Sequence, residues 1–199
     1  MRHAVDCYFA PNSPWTYLGH ARFAAMVAKA GASVRLLPID LGQVFAVSGG
    51  LPLPQRAPQR QAYRLLELKR FAEALALPLV VQPRFFPVAG LAAAQLIVAT
   101  EQVLGTASAM RLTGAIGAAV WAQERDIADT ATLAALLGEC ELDAGLLAQS
   151  QSAEVQSRYA QNTQAAIEAG VFGAPSYVVD GELFWGQDRL DFVESRLAA

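Results

Sequence analysis

The alternation of apolar and polar positions changes period several times along the chain, and each change marks an element. Ala4-Val5-Asp6-Cys7-Tyr8-Phe9 alternates in strand-forming residues, which predicts a short β-strand. Pro11-Asn12-Ser13-Pro14 breaks the pattern, and from Leu18 to Lys29 apolar residues recur at helical spacing on an Ala-rich background. Gly31 stands where a C-cap glycine would close that helix. Ser33 to Asp40 returns to a strand-like run, so the chain opens β-α-β. Gly42 to Pro58 holds several Gly and Pro residues without periodicity and predicts a loop, long enough to be functional.

Helical patterning dominates the middle. Arg60 to Leu75 interleaves Arg60, Arg64, Glu67, Lys69, Arg70 and Glu73 with apolar residues. Pro78 to Pro87 is irregular and contains Gln82-Pro83-Arg84-Phe85-Phe86-Pro87. Further helices are predicted over Gly90 to Leu104, Thr106 to Gln123 and Asp129 to Leu137, and a last one from Ala144 or Ser152 to Ala169, closed by Gly170. The period then shortens again. Ser176-Tyr177-Val178-Val179 and Glu182-Leu183-Phe184-Trp185 flank Asp180-Gly181, a strong hairpin signal. Leu190 to Leu197 is a final helix, with Asp188 near its positive end. The order is β-α-β, a block of helices, then β-β-α.

Composition narrows the classes. A chain of 199 residues with 54% hydrophobic and 17% charged residues suits one domain, or one carrying a large insertion, around a sizeable core. A net charge of −3 argues against a nucleic-acid or anionic-membrane surface. The N-terminal residues lack the apolar run of a signal peptide, and no apolar run reaches spanning length. Cys7 and Cys140 are the only cysteines and His3 and His20 the only histidines, too few and too scattered for a disulfide framework or a metal centre. A soluble, cytoplasmic globular protein is expected.

The loop after the first strand concentrates the candidate chemistry. Ser13 suits an N-cap and Pro14 the first helical position. Free backbone N–H groups and the helix dipole favour an anion at such a terminus, whether thiolate, phosphate or carboxylate. Two readings are open on these residues alone: a well-capped first helix, or an anion site built on one.

Taken with two later segments, these residues resemble a known family. A β-α-β half and a β-β-α half separated by helices is similar to the thioredoxin fold of the DsbA type. Ser13-Pro14-Trp15-Thr16 stands where DsbA-type oxidoreductases carry Cys-x-x-Cys. Gly173-Ala174-Pro175 resembles that fold's cis-proline loop, and Trp185-Gly186-Gln187-Asp188-Arg189 precedes the last helix. The order and separation of the three motifs resemble the 2-hydroxychromene-2-carboxylate isomerases and their relatives, the kappa-class glutathione transferases, over essentially the whole chain. The fold implied is α/β, with residues 1–58 and 170–199 as a thioredoxin-like domain and 59–169 as an inserted all-helical domain.

Without a cysteine in the loop, thiol–disulfide exchange by the protein is unavailable, and the resemblance names glutathione as the cofactor that supplies the thiol. It implies Ser13 as the catalytic residue, donating a hydrogen bond that holds the glutathione thiolate and, with the helix terminus, lowers its pKa. Ala174, before a cis Pro175, would pair with the cysteinyl backbone of glutathione as an added strand does. Trp185, Gly186, Gln187 and Asp188 match the segment that receives the γ-glutamyl end. Arg60, in Arg60-Gln61-Ala62-Tyr63, falls where relatives carry Lys and would bind the glycyl carboxylate. Plainer roles compete: Pro175 as a turn proline, Asp188 as a capping residue, Arg189 as an ion-pair partner. The family's Asn in the preceding loop has no counterpart, since Gly49-Gly50-Leu51-Pro52 carries Leu at that place and Gln55 is a possible substitute. Arg35, Arg56 and Arg84 are candidates for an acidic acceptor's carboxylate and Phe45, Phe85 and Phe86 for its ring, although Phe in apolar surroundings is more often core.

The activity implied is interconversion of 2-hydroxychromene-2-carboxylate with trans-o-hydroxybenzylidenepyruvate, by thiolate addition, bond rotation and elimination, in aromatic-compound catabolism. The alternatives are a kappa-like transferase, which would consume glutathione, and a non-catalytic protein that binds a thiol or peptide. The resemblance also implies a homodimer; its partners would be glutathione and a small aromatic or carboxylate-bearing substrate, with no nucleic acid, membrane or metal.

Overall fold

The computed structural model describes residues 3–198. The chain runs β1 (Ala4–Phe9), α1 (Pro14–Ala30), β2 (Ser33–Pro38), α2 (Leu41–Ser48), α3 (Pro58–Ala74), α4 (Leu91–Leu104), α5 (Thr106–Trp121), α6 (Thr130–Glu139), α7 (Leu146–Gln149), α8 (Ala153–Glu168), β3 (Ser176–Val179), β4 (Glu182–Trp185) and α9 (Leu190–Leu197). Single 3₁₀ turns stand at Leu53–Gln55 and Gln187–Arg189. The four strands lie in the order β2-β1-β3-β4. β1 and β2 pair in parallel through the α1 crossover, while β3 runs antiparallel to both β1 and β4.

Side-chain alternation on β1 separates two layers. Val5, Cys7 and Phe9 join a cluster with Leu18 and Phe23 of α1, Leu96 and Ile97 of α4 and Ile116 of α5. Tyr8 points the other way and meets Val44 of α2 and Ala166 of α8. Period-2 alternation thus places helices on both faces of the sheet. The larger cluster contains residues from both sides of the 59–169 boundary, so the helical block shares a core with the sheet. In α4 every residue from Ala93 to Thr100 is buried, and the helix packs against α5 and α8.

The termini of α1 and the hairpin follow local rules. Ser13 caps α1 with Pro14 inside the first turn, and Gly31 closes it in the left-handed region. Asp180 and Gly181 both take positive φ between β3 and β4, the conformation that Asp-Gly hairpins favour. The long segment after β2 corrects the sequence expectation: Leu41–Ser48 is a helix, not a loop. Asp40 caps it, its carboxylate accepting from the Gly42 and Gln43 amides, and Val44 is completely buried against Tyr8, Leu37 and Ile39. Tertiary burial of that side chain stabilises an eight-residue helix too short to persist alone. The last helical block divides, with Ser152 capping α8 through Val155 N–H.

Packing of α1 on the far end of the sheet leaves little tolerance. A Cβ at Gly19 would stand 2.7 Å from Gln187 Cβ and 3.2 Å from the Tyr177 hydroxyl. Gly19→Val is therefore expected to destabilise by about 2–3 kcal/mol, lowering Tm by roughly 4–12 °C for a chain of this size. At Gly138 in α6 a Cβ would have no heavy atom within 4 Å beyond its own helix turn, and Gly138→Ala is expected to raise Tm slightly, by about 0.5–1 kcal/mol of helix propensity. Calorimetric melts of both variants check the contrast; equal Tm values for Gly19→Val and the parent chain would defeat it.

Candidate active site

The turn between β1 and α1 spends nearly all of the polar capacity of Ser13 internally. Its N–H donates to Ala10 C=O at 3.0 Å, and its C=O accepts from Tyr17 N–H at 3.1 Å. Its Oγ accepts from Thr16 N–H at 3.3 Å. A hydroxyl that accepts along one lone pair still has its proton to give, and no group among the described residues takes it. Pro14 has no N–H, and the Trp15 N–H has no partner there either. One hydroxyl proton and one backbone N–H at the positive end of a 17-residue helix make a small anion receptor. Ser13 is 8% exposed, so the receptor is sheltered without being sealed.

The cis-proline loop forms the opposite wall. Tyr8 pairs with Ser176 across β1 and β3, which brings the neighbouring residues, Ala174 and Pro175, alongside the Ser13 turn. The Ala174–Pro175 bond is cis. Among the described residues neither the N–H nor the C=O of Ala174 has a hydrogen-bond partner, so both are free for a peptide-like ligand. Pro175 C=O accepts from Gly186 N–H at 2.9 Å, which ties this loop to the segment before α9.

That segment is divided in its roles. Gly186 has φ 102°, and a Cβ there would meet Asp188 Oδ1 at 2.4 Å, so only glycine suits the position. Trp185 is 51% exposed, with its indole against Gly173 and 4.9 Å from the Phe172 ring. Asp188 is exposed and pairs with Arg189 at 2.7 Å. Gln187 is 1% exposed, both its amide atoms are buried without a hydrogen-bond partner among the described residues, and its Cβ packs under Gly19. Arg60 lies exposed on the first turn of α3, its N–H bonded to Ala57 C=O.

Other ionisable groups lie outside the cleft. Cys7 is buried in β1, and desolvation, with Asp6 and Glu101 nearby, drives its thiol far above the ordinary range. Burial also raises the Cys140 thiol. His20 touches the Met110 carbonyl at 2.9 Å, and burial lowers its pKa and keeps it neutral. Tyr17 donates to Pro78 C=O at 2.7 Å. Arg35 pairs with Asp6. Beneath the first turn of α1 lies a cavity of about 10 Å³ between Thr16, His20, Thr113, Tyr177 and Pro175. Thr16 stands at the last position of the Ser13-Pro14-Trp15-Thr16 motif, with a buried hydroxyl that bonds to nothing else among the described residues. Among the described residues no group of three or more His, Cys, Asp or Glu could hold a metal ion, and no helix is long and apolar enough to cross a membrane.

Three residues that the sequence did not single out contribute to the cleft. Asn12 donates to Val88 C=O at 2.8 Å, fastening the 82–90 segment beside Ser13; that segment contains a second cis bond, Phe86–Pro87. Trp15 meets Phe71 of α3 edge-on at 6.0 Å. Arg64 lies over Phe86 and Trp121. The first could be suspected from its place next to Ser13; the other two depend on contacts between elements distant in sequence.

Both cysteines being buried, the folded protein is expected to give almost no colour with Ellman's reagent over minutes at neutral pH, and both thiols to react after unfolding in guanidinium. Rapid labelling of Cys7 in the native protein would show that β1 opens and that a protein thiol reaches the site.

The arrangement has known counterparts. The family model of DSBA-like thioredoxin domains matches residues 4–198. A 2-hydroxychromene-2-carboxylate isomerase of Pseudomonas sp. (strain C18) is 32% identical over 96% of this chain and 88% of its own length. That of Sphingobium xenophagum is 29% identical over 99% of both chains. A solved 2-hydroxychromene-2-carboxylate isomerase superposes with a TM-score of 0.82 at 26% identity, covering 98% of this chain and 94% of its own. With its fold, its helix-capping serine and its cis-proline wall accounted for, the chain belongs to the DSBA-like thioredoxin family, among the 2-hydroxychromene-2-carboxylate isomerases.

Proposed function

We propose that the protein is a glutathione-dependent isomerase that interconverts 2-hydroxychromene-2-carboxylate and trans-o-hydroxybenzylidenepyruvate. The observation that carries this reading is the unspent hydroxyl proton of Ser13 at the α1 N-terminus, in a loop without cysteine and facing the free backbone edge of Ala174. The residues present fit glutathione. Ala174 offers the N–H and C=O that a γ-glutamyl-cysteinyl-glycine backbone would complete, and Pro175 holds that edge in place. Asp188 and the Trp185-Gly186 backbone are assigned to the γ-glutamyl end, and Arg60 to the glycyl carboxylate. Gln187 supports them from below. Glutathione, when bound, supplies the thiolate nucleophile whose reversible addition to a conjugated alkene allows rotation about the former double bond.

The chain's own part is electrostatic. Ser13 Oγ–H and Trp15 N–H donate toward a negative sulfur, and the helix dipole adds to them without reorganisation. Burial keeps His20 neutral and suppresses ionisation of Cys7, so neither competes with a thiolate beside Ser13. A cytoplasmic setting, where glutathione is abundant, and a homodimer belong to the same proposal; exposed Phe172, Trp185 and Phe192 are apolar surface that a second copy could cover.

The test is isomerisation followed with and without glutathione, in the parent enzyme and in Ser13→Ala. Turnover is expected to require glutathione and to leave its concentration unchanged. Ser13→Ala is expected to lose about a hundredfold in kcat/KM and to raise the pKa of the bound glutathione thiol, read from thiolate absorbance against pH. Turnover without glutathione would refute the reading, and stoichiometric consumption of glutathione would replace it with a transferase.

A further inference from the structure

Three arginines at and just before the start of α3 stand without counter-charges. Arg60 and Arg64 lie one turn apart on the helix, Arg56 precedes it in extended backbone, and none forms an ion pair with a carboxylate among the described residues. Farther along the same helix the cations are matched, Lys69 with Glu73 and Arg70 with Glu67. Arg56 gives one N–H to Leu51 C=O at 2.8 Å and lies 5.9 Å from the Phe45 ring centre. The Arg64 guanidinium makes no hydrogen bond at all among the described residues. It is half-buried, 5.2 Å from the Phe86 ring centre and 5.7 Å from that of Trp121. Desolvation, reinforced by Arg56, lowers its pKa to about 10, so it is still charged near neutral pH.

Such a cation is in an unfavourable state. Ring faces compensate only part of its lost hydration, and none of its five N–H donors has a protein acceptor among the described residues. A second guanidinium close by adds repulsion. An anion arriving between the two would relieve both costs, and a carboxylate matches the guanidinium fork in shape.

The place of Arg64 says which anion. Arg60, Arg64, Leu68 and Phe71 share one face of α3, where Leu68 is completely buried and Phe71 packs against Trp15. Phe86 belongs to the segment whose Val88 carbonyl is held by Asn12. Trp15 and Asn12 flank Ser13, so the groups that carry the guanidinium also frame the Ser13 turn. Arg60, between Arg56 and Arg64 in sequence, is the exposed member of the three.

We propose that Arg64, with Arg56 beside it, receives the carboxylate of the acceptor substrate, an unsaturated aromatic acid, with Phe86 and Phe45 flanking its apolar body. The assignment rests on the isomerase reading and adds a specificity determinant to it: the acceptor is gripped by its charged end, separately from glutathione, and its conjugated carbons are left to the thiolate at Ser13.

The test separates the two claims. Calorimetry measures binding of chroman-2-carboxylate, the saturated and unreactive analogue, and of its methyl ester to the glutathione-loaded parent enzyme, Arg64→Gln and Arg64→Lys. The parent is expected to prefer the acid by about 30-fold, Arg64→Gln to abolish the preference, and Arg64→Lys to restore part of it. KM for 2-hydroxychromene-2-carboxylate is expected to rise by a similar factor in Arg64→Gln while kcat changes by less than about threefold and glutathione affinity stays the same. An unchanged acid-to-ester ratio in Arg64→Gln or in Arg64→Lys would overturn the assignment, as would a loss of glutathione affinity that tracks the loss of the acid, which would give Arg64 to the cofactor. Absence of glutathione-dependent isomerisation in the parent enzyme would refute the isomerase reading alone, because the acid-to-ester ratio is read from an analogue that does not react.

Discussion

The cap of α1 holds the site together. Ser13 N–H, C=O and Oγ each accept or donate within a turn of eight residues, Ala10 to Tyr17. Those bonds fix the Ser13 backbone and hold its Oγ against Thr16 N–H, leaving the hydroxyl proton without a partner among the described residues. A serine cap contributes about 1 kcal/mol to its helix, a modest share of stability. Its larger consequence is geometric: the hydroxyl and the helix terminus face the same point, and the β1–β3 register brings the cis-proline edge to the other side.

Two environments six residues apart illustrate how one chain manages sulfur chemistry. The Cys7 thiol lies in β1 with a strand on either side and helices over it, and burial suppresses its ionisation. At Ser13 the same strand ends at a helix N-terminus, where the dipole favours an anion. Placing the protein's own thiol in the first environment and a hydroxyl in the second makes the site suited to a thiolate brought from outside. His20 Nε2 and the Tyr17 hydroxyl are likewise engaged, by the Met110 and Pro78 carbonyls.

Local charge, not net charge, governs the cleft. The chain is acidic overall, at −3, and several of its surface cations are matched, as in Arg22–Asp191, Lys29–Glu194 and Arg125–Glu139. Exposed pairs of this kind contribute little to stability, but they neutralise the surface, so the unmatched Arg56–Arg64 row is the more conspicuous field beside an apolar wall. Low dielectric around Phe86 and Trp121 strengthens whatever that row binds.

The elements could be read from the sequence wherever the rule that makes them is local. Alternation in 4–9, the Ser13-Pro14 start of α1, the Gly31 stop and the Asp180-Gly181 hairpin all depend on neighbours within a few residues, and so did the motif order that carried the family. Leu41–Ser48 escaped because its helix is held by Val44 packing under a sheet that forms from both ends of the chain. Gln187 belongs to a linear motif, but its packing against Gly19, 168 positions earlier in the numbering, depends on contact between distant segments. Arg64 sat in plain view as one charge among six on α3; that it lacks an acid, rests on Phe86 and Trp121 and shares its supports with the Ser13 turn depends on where a helix, a cis-proline segment and a buried indole meet. Sequence by itself determined the order of the elements, the capping serine and the absence of a cysteine in its loop, since those follow from residue identity and short-range geometry. Tertiary structure alone decided which polar groups are left without partners, because satisfaction is a property of contacts between segments far apart in the chain.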